Sequence, residues 1–350
     1  MRLSRKLLHN ADTLKTELLH TRICDLRLRL RGSRLGRCVD RAMDDVRAFG
    51  ITLEPFFYLS DAYGCVEGTA NIGLGFWDAD PLLREIRKDK TGQLRDDVDI
   101  ALLVKHEVGH AFCYSHKLYL LPEFRRGFGI RGNFFRTYPD DGRYRFDRWS
   151  VDHVNPVGDH YAQKHPDDDF AETFATFLDP KAAWRDRYRG RIGALRKIAL
   201  AARLVRQYGG RTPAIRSGGA AIHGPLDEFR QTVAQFFRVA RRRYMKHAQG
   251  FLDDELEGIF RAPGRLKKPT TAAAALLLRH RKFIEASVRA RVRPKDPQVA
   301  ADILDKIAHR LKAIGLVCFD DEQDRVLAEL YGMVLVKTLL FHRFGVFRET

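Results

Sequence analysis

The residues best suited to chemistry in this chain form a His-Glu-x-x-His segment that runs from His106 to His110. On a helix, residues four apart lie on one face, about 6 Å apart along the axis, so both imidazoles can reach one metal ion. Zinc accepts imidazole nitrogen at about 2.0–2.1 Å, and in catalytic sites it leaves one position to water. Glu107 falls beside the pair, where its carboxylate can take a proton from that water. The segment therefore predicts a catalytic zinc site with one ion per chain.

A second group of acidic side chains opens another predicted helix. Pro166 suits the first helical position, and residues 167–169 are aspartates that favour the helix dipole in the first turn. Taken alone, these aspartates indicate only a helix start. Asp168 and Glu172 are four apart and share a face, however. Beside a His-Glu-x-x-His helix, one of these carboxylates can bind the metal and the other can accept a hydrogen bond from a ligand histidine.

Together the two motifs resemble a known class of enzymes. The pattern begins with the His-Glu-x-x-His helix and continues with Tyr161. Seven residues later, at Asp168, an acid-x-Phe-Ala-Glu run begins. This order is similar to that of gluzincin metallopeptidases of the lethal-factor-like kind. More closely, residues 22–208 resemble a bacterial family of zinc-binding metallopeptidases. Weaker matches to this family are Arg22-Ile-Cys-Asp-Leu26, Gly32-Ser33 and Leu59-Ser-Asp61. The resemblance covers over half of the chain and leaves out the C-terminal region.

The resemblance implies a role for each residue of the two motifs. His106 and His110 would be the first two zinc ligands and Glu107 the general base. Asp168 would be the third ligand, and Glu172 would accept a hydrogen bond from a ligand. Tyr161 would donate a hydrogen bond to the oxyanion of the tetrahedral intermediate; the alternative is an ordinary loop tyrosine.

At one position the sequence departs from the family. Family members usually have glutamate where this chain has Asp168, and aspartate is shorter by one methylene, about 1.5 Å of reach. Either the helix lies closer, or a water intervenes, or Glu172 replaces Asp168 as the ligand. We expect Asp168 to be the ligand, with Glu172 as the alternative, since zinc accepts either carboxylate.

The elements around these motifs are predicted from periodicity. Apolar spacing indicates helices over residues 37–48, 97–117 and 166–179, and alternation indicates strands over 25–30, 56–59 and 71–77. Residues 122–160 resemble long irregular loops. We expect the strand with Asn71, Gly73 and Gly75 to be an edge that pairs with an extended substrate, the glycines permitting close approach. An ordinary edge strand weakened by glycine is the alternative.

These elements predict an α+β fold in two domains. Residues 1–210, the N-terminal helix included, would form a zincin-like catalytic domain with a small mixed sheet and active-site helices. Residues 208–219 are rich in Gly, Ser and Pro and resemble a linker. Residues 220–350 would form a basic, all-helical C-terminal domain.

Composition sets the remaining expectations. The chain has 350 residues and a net charge of +17, and residues 211–350, with 26 Lys and Arg against 16 Asp and Glu, supply +10 of it. No apolar run reaches the roughly 18 residues of a membrane span. The N-terminus lacks the apolar region of a secretory signal, and five scattered cysteines favour a reducing compartment, so we expect a cytoplasmic protein without membrane partners.

Two functions are compatible with these features. The first is a zinc-dependent metallopeptidase that hydrolyses a peptide or amide bond, with a peptide or protein substrate whose acidic character would suit the basic charge. The alternative is a basic nucleic-acid-binding or regulatory protein with a structural or silent metal site. Glu107 and Tyr161 favour the enzyme, because a purely structural site needs neither residue.

Overall fold

The structure is a computed structural model that describes residues 11–136, 143–215, 218, 222–240, 250–264, 268–292 and 298–345. By its internal contacts the chain divides into two compact units. We call Leu28–Leu226 the central unit, and Met1–Arg27 together with Asp227–Thr350 the terminal unit. The described residues are mostly helical with small sheets, an α+β composition. None of the described helices combines the length and apolar character needed to cross a membrane.

The helices and strands follow the chain in this order. The described helices are α1 (Ala11–Leu19), α2 (Arg34–Ala48), α3 (Pro81–Thr91), α4 (Asp97–Ser115), α5 (Pro122–Gly127), α6 (Pro166–Phe177), α7 (Trp184–Arg187), α8 (Ile192–Tyr208), α9 (Val233–Phe236), α10 (Asp253–Ile259), α11 (Ala273–Val292), α12 (Gln298–Ile314) and α13 (Gln323–Phe344). The described strands are β1 (Phe56–Ser60), β2 (Gly64–Cys65), β3 (Asn71–Gly75), β4 (Thr270–Ala272) and β5 (Val317–Phe319).

Strand β3 lies in the middle of the three-stranded sheet of the central unit. It pairs in parallel with β1, Phe56 opposite Asn71, and antiparallel with β2, Gly64 opposite Gly73. The expectation that β3 is a free edge for substrate is therefore wrong, because strands of the protein itself pair with both of its sides. The strand also ends at Gly75, and a 3-10 helix over Phe76–Ala79 follows.

The three β3 residues predicted to bind substrate face the protein interior. The side-chain oxygen of Asn71 accepts the backbone N–H of Gly218 at 2.8 Å. A Cβ atom at Gly73 would lie 2.9 Å from the Cβ of Ser60, and one at Gly75 would lie 2.4 Å from the ring of Trp77. The glycines do permit close approach, as predicted, but the groups that approach belong to the fold.

Helices α4 and α6 form the framework of the predicted site. Asp96 and Asp99 form a capping box at the start of α4, and the helix is buried along its second half. It ends at Ser115 rather than at the predicted Lys117, since Lys117 has left-handed backbone angles. In α6 the imidazole of His165 caps the backbone N–H of Asp167. Apolar residues of both helices join the core of the central unit.

Gly109 allows α4 and α6 to lie in close contact. A Cβ atom at Gly109 would lie 2.9 Å from the Cα of Ala171 and 3.2 Å from the ring of Phe174. Only a residue without a side chain fits there without displacing a neighbour. The glycine between the two histidines therefore determines how near the acidic residues of α6 lie to the imidazoles of α4.

The terminal unit differs from the expected all-helical domain. Its long helices α11, α12 and α13 are accompanied by a two-stranded antiparallel sheet, in which Thr270 of β4 lies opposite Phe319 of β5. Residues 25–30, expected to form a strand, contain none; Arg27 has a φ of 50°, which interrupts an extended chain. The unit is mainly helical, as the predicted fold class requires, but the sheet contradicts an all-helical composition, and the strand prediction over residues 25–30 is wrong.

The structure groups the chain ends differently from the sequence analysis, which placed residues 1–210 in one domain. Helix α1 belongs to the terminal unit, where Glu17 forms a buried ion pair with Lys306 at 3.1 Å. The central unit extends to Leu226, past the predicted linker, as Ser60 Oγ donates to the carbonyl of His223 at 3.0 Å. Both differences come from contacts between residues far apart in sequence.

Candidate metal centre

Helices α4 and α6 bring two imidazoles and one carboxylate to a common point. Nε2 of His106 and Nε2 of His110 lie 3.1 Å apart. Oδ1 of Asp168 lies 3.9 Å from the first nitrogen and 3.6 Å from the second. All three side chains are buried, and their candidate ligand atoms lie within 4.8 Å of one another. The residues predicted as metal ligands thus form a group that could hold a metal ion.

A further carboxylate lies behind each histidine. Nδ1 of His106 is 2.8 Å from Oε1 of Glu172, and Nδ1 of His110 is 2.8 Å from Oδ1 of Asp167. Such partners fix the orientation of an imidazole and raise the basicity of its other nitrogen. Glu172 therefore lies where a supporting acceptor belongs, while Asp168 is the carboxylate that faces the two Nε2 atoms.

These contacts fit a metal ion between the histidines. Because a carboxylate lies 2.8 Å from each Nδ1, each Nε2 can present a lone pair to a cation. The two Nε2 atoms are 3.1 Å apart, a distance at which they share either a proton or a metal ion. A tetrahedral ion with bonds of about 2.0–2.2 Å separates its ligand atoms by roughly 3.3–3.6 Å. The measured separations of 3.1, 3.6 and 3.9 Å are close to that range.

The electrostatics of the site favour a positive charge at the Nε2 atoms. Burial opposes the imidazolium form of His106, but the contact with Glu172 outweighs burial and raises the pKa of His106. For His110 burial is likewise outweighed by Asp167, which raises the pKa of His110 well above its ordinary value. A proton and a metal ion therefore compete for the same nitrogens.

The short reach of Asp168 has an explanation in the helix packing. Its carboxylate faces the histidines directly, and one turn further along α6 the backbone of Ala171 lies against Gly109. The close contact at Gly109 is compatible with the first of the three possibilities raised by the departure from the family pattern, a closer helix. Glu172 is occupied at His106 Nδ1 instead.

Glu107 is the carboxylate of the site that is left without a bound partner. It is buried, yet it lines the same cleft as His106. Within the described ranges it forms no hydrogen bond or ion pair. A carboxylate in that position is available to exchange a proton with a molecule in the cleft.

Tyr161 lies close to His106, the two ring centroids being 5.7 Å apart. The ammonium of Lys164 donates a hydrogen bond to the Tyr161 hydroxyl at 2.9 Å and lies 4.0 Å from Asp168. Burial, followed by the negative charges of Asp168 and Glu107, raises the pKa of Tyr161 far above its ordinary value. The phenol therefore keeps its proton and can donate it in a hydrogen bond.

The backbone before Tyr161 is held in an unusual conformation. His160 has a φ of 61°, and its N–H donates to the side-chain oxygen of Asn155 at 3.0 Å. Its imidazole stacks on Phe146 with centroids 4.6 Å apart. Such strain is maintained only when the surroundings hold it, and here it determines where the 3-10 helix with Tyr161 begins.

The site opens into a cleft of about 620 Å³. His106, Glu107, Tyr161 and Glu172 line one part of it, and other parts are lined by aromatic and basic side chains from the segments around β2 and α3. Asn71, Gly73 and Gly75 are not among the lining residues. The predicted catalytic residues and the predicted substrate strand are therefore in different places.

Three contributors were missed by the sequence analysis. Asp167 looked like a helix-start residue, although a site with two ligand histidines needs two outer acceptors, and only Glu172 had been assigned. Gly109 looked like a spacer inside the motif. The sequence does not indicate a role for Lys164, because its contact with Tyr161 depends on the 3-10 turn between the two residues.

No protein-family model matches this chain, and no curated protein or solved structure matches it either. The resemblance to gluzincin peptidases therefore stays a prediction that rests on the two motifs.

Proposed function

We propose that this protein is a zinc-dependent peptidase or amide hydrolase of the gluzincin type, with a zincin-like central unit. The observation that carries the proposal is the convergence of His106, His110 and Asp168 next to a cleft. His106 lines that cleft together with Glu107, which has no partner among the described residues. Three protein donors with space for a fourth group are typical of catalytic zinc, whereas structural zinc is closed by four protein ligands.

Each residue has a distinct task in the proposed reaction. When bound, zinc supplies Lewis acidity to a water and to a carbonyl oxygen. Glu107 accepts a proton from the attacking water and passes it to the leaving nitrogen. Tyr161 donates a hydrogen bond to the oxygen that gains negative charge, and Lys164 stabilises that charge from behind the phenol. Glu172 and Asp167 keep the two imidazoles oriented.

The same geometry favours catalysis over a purely structural metal site. A structural site would gain nothing from a buried carboxylate without a partner, because desolvating an unpaired charge costs free energy. Glu107 lines the cleft and has no hydrogen bond or ion pair among the described residues. The basic charge that suggested nucleic acid is compatible with an acidic peptide substrate as well.

Metal content and hydrolysis together test the proposal. Protein purified without chelator should contain about one zinc per chain by elemental analysis, and it should cleave members of a mixed peptide pool. Asp168→Ala should lose the zinc. Glu107→Gln should keep the zinc and lose cleavage by a factor of at least about 100. Wild-type protein that takes up no zinc on dialysis, or a Glu107→Gln variant that still cleaves, would refute the proposal.

A further inference from the structure

Two arginines line the cleft that also contains His106 and Glu107. The guanidinium of Arg87 lies 4.8 Å from the ring centroid of Trp77, and that of Arg95 lies 5.6 Å from the ring centroid of Tyr63. Stacking on a ring restricts a long side chain without neutralising its charge. Both charges are therefore held at the wall of the cleft.

The aromatic rings beneath the two guanidinium groups are themselves fixed. Buried Asp78 accepts hydrogen bonds from the Tyr63 hydroxyl and from Nη1 of Arg84, both at 2.8 Å. Arg84 also donates to the backbone carbonyl of Arg95 at 2.5 Å. Tyr63 and Trp77 contact each other edge to face. One buried carboxylate thus holds an arginine, a tyrosine and the Arg95 backbone in place.

Arg87 and Arg95 lack a matching negative charge. In the part of the chain that the structure describes, neither guanidinium lies within ion-pair distance of a carboxylate, and Asp78 is already bound to Arg84. Burial and the positive charge of Arg95 lower the pKa of Arg87. Two like charges that lie over contacting rings at the wall of one cleft repel each other unless an anion joins them.

The other carboxylates along the cleft have their own partners. Glu172 contacts His106, Asp99 accepts the backbone N–H of Asp96 at 3.2 Å, and Asp159 accepts the backbone N–H of Tyr161 at 3.1 Å. Glu107, by contrast, would repel an anion from its own part of the cleft. An anionic group would therefore gain most beside the two arginines.

We propose that Arg87 and Arg95 form a subsite for a carboxylate of the substrate, so that the enzyme selects peptides with an acidic group at one fixed position from the cleaved bond. This inference rests on the proposed function and names its substrate class. The carboxylate belongs either to an aspartate or glutamate side chain or to the C-terminus of the peptide. The guanidinium fork suits both, since it binds carboxylates through paired hydrogen bonds.

Cleavage specificity gives the first test. Zinc-loaded full-length protein is incubated with a randomised pool of acetylated, amidated peptides, and the products are identified by mass spectrometry. Wild type should favour Asp and Glu over Asn and Gln by about tenfold or more at one position. Arg87→Gln and Arg95→Gln should each reduce that ratio several-fold. A wild type that cleaves without acidic preference, or variants that keep the preference, would overturn the inference.

A matched control separates the subsite from general charge. Arg185 stacks on Trp184 at 4.4 Å outside the cleft, so Arg185→Gln removes one stacked arginine elsewhere and should leave the ratio unchanged. A parallel pool with free C-terminal carboxylates distinguishes the two sources. Preference in the amidated pool indicates an acidic side chain, and preference that appears only with free termini indicates the terminal carboxylate.

A binding measurement separates failure of the subsite from failure of the peptidase proposal. Calorimetry on zinc-loaded Glu107→Gln protein compares an amidated peptide of alternating alanine and glutamate with its alanine–glutamine counterpart. The acidic peptide should bind about tenfold more tightly, and adding Arg87→Gln, but not Arg185→Gln, should reduce that difference several-fold. Arginine-dependent binding without any cleavage by wild type would refute the peptidase and retain the subsite. Cleavage that does not depend on the arginines would retain the peptidase proposal and refute the subsite.

Discussion

Gly109 of α4 lies so close to Ala171 of α6 that a Cβ atom at position 109 would be 2.9 Å from the Cα of Ala171. The contact falls between the two candidate ligand histidines of α4 and one turn from Asp168 of α6. It therefore controls the distance across which the three ligand atoms meet.

Substituting Gly109 with alanine should separate the two helices. Alanine is favoured over glycine in a helix by about 1 kcal/mol, but overpacking a tight contact costs about 1–3 kcal/mol, so we expect a net loss of stability of about 1 kcal/mol. Zinc affinity, measured by competition with a chelator, should fall about tenfold or more, since the carboxylate moves away from the imidazoles. An unchanged zinc affinity would show that the helix contact does not define the site.

The length of the third ligand can be tested against that contact. In the wild-type background, Asp168→Glu adds a methylene where the helices are already close, and zinc affinity should fall about tenfold. In a Gly109→Ala background the longer side chain spans the wider gap, so Asp168→Glu should improve zinc affinity relative to Gly109→Ala alone. If Asp168→Glu lowered zinc affinity equally in both backgrounds, the helix contact and the ligand length would not be coupled.

The carboxylates behind the histidines should matter almost as much as the ligands. Asp167→Asn and Glu172→Gln each replace a charged acceptor by a neutral group of the same shape, and each should lower zinc affinity by about 10–100-fold. Asp169→Asn is a neighbouring control, because Asp169 is bound to Lys197 rather than to a candidate ligand histidine. Wild-type zinc affinity in the Asp167→Asn variant would show that Asp167 does not support the metal site.

Tyr161 and Lys164 should act on turnover rather than on metal binding. Tyr161→Phe should lower kcat by about 100-fold with zinc content unchanged, as expected for loss of an oxyanion donor. Because the pKa of Tyr161 is raised, its phenol should not ionise within the working pH range, and the wild-type activity should show no alkaline limb from this residue. Lys164→Met should have a smaller effect in the same direction. A Tyr161→Phe variant that loses zinc would contradict this assignment.

His153 should make stability depend on pH. Burial, then the charge of Lys197, lowers the pKa of His153 from 6.5 to about 4. The unfolded chain therefore binds a proton that the folded chain does not, and stability is lost as pH falls below 6.5. Allowing for its partial exposure, the loss between pH 7 and pH 5 is about 1 kcal/mol. Urea unfolding should show this extra loss in wild type relative to His153→Gln; parallel pH dependence of the two proteins would contradict it.

The local elements near the site were predictable because their signals are local. The apolar spacing of α4, the proline and aspartates that begin α6 and the four-residue spacings of both motifs depend only on nearby residues. Matching two helix faces predicted that His106 and His110 meet Asp168 or Glu172, and the resemblance to the metallopeptidase family favoured Asp168. The centre of the site was thus accessible from the sequence, down to which residues share a face.

Features that depend on long-range pairing were not accessible. Nothing in residues 71–75 indicates that β1 and β2 pair with both sides of β3, so the local sequence alone predicts an edge strand. Glycine indicates close approach without indicating which group approaches, and at Gly73 that group is Ser60. The position of α1 depends on Lys306, which is distant in sequence.

The arrangement of the two units along the chain has a consequence for synthesis. Leu28–Leu226 is continuous, whereas the terminal unit combines segments from both ends. The described part of helix α1 has nine residues, too few for stability alone, and its buried Glu17 forms an ion pair with Lys306. On the ribosome, all three candidate metal ligands have therefore been synthesised before Lys306, the partner of α1, is made. The candidate metal centre can therefore form on a nascent chain in which α1, although synthesised earlier, has not yet packed against its partner.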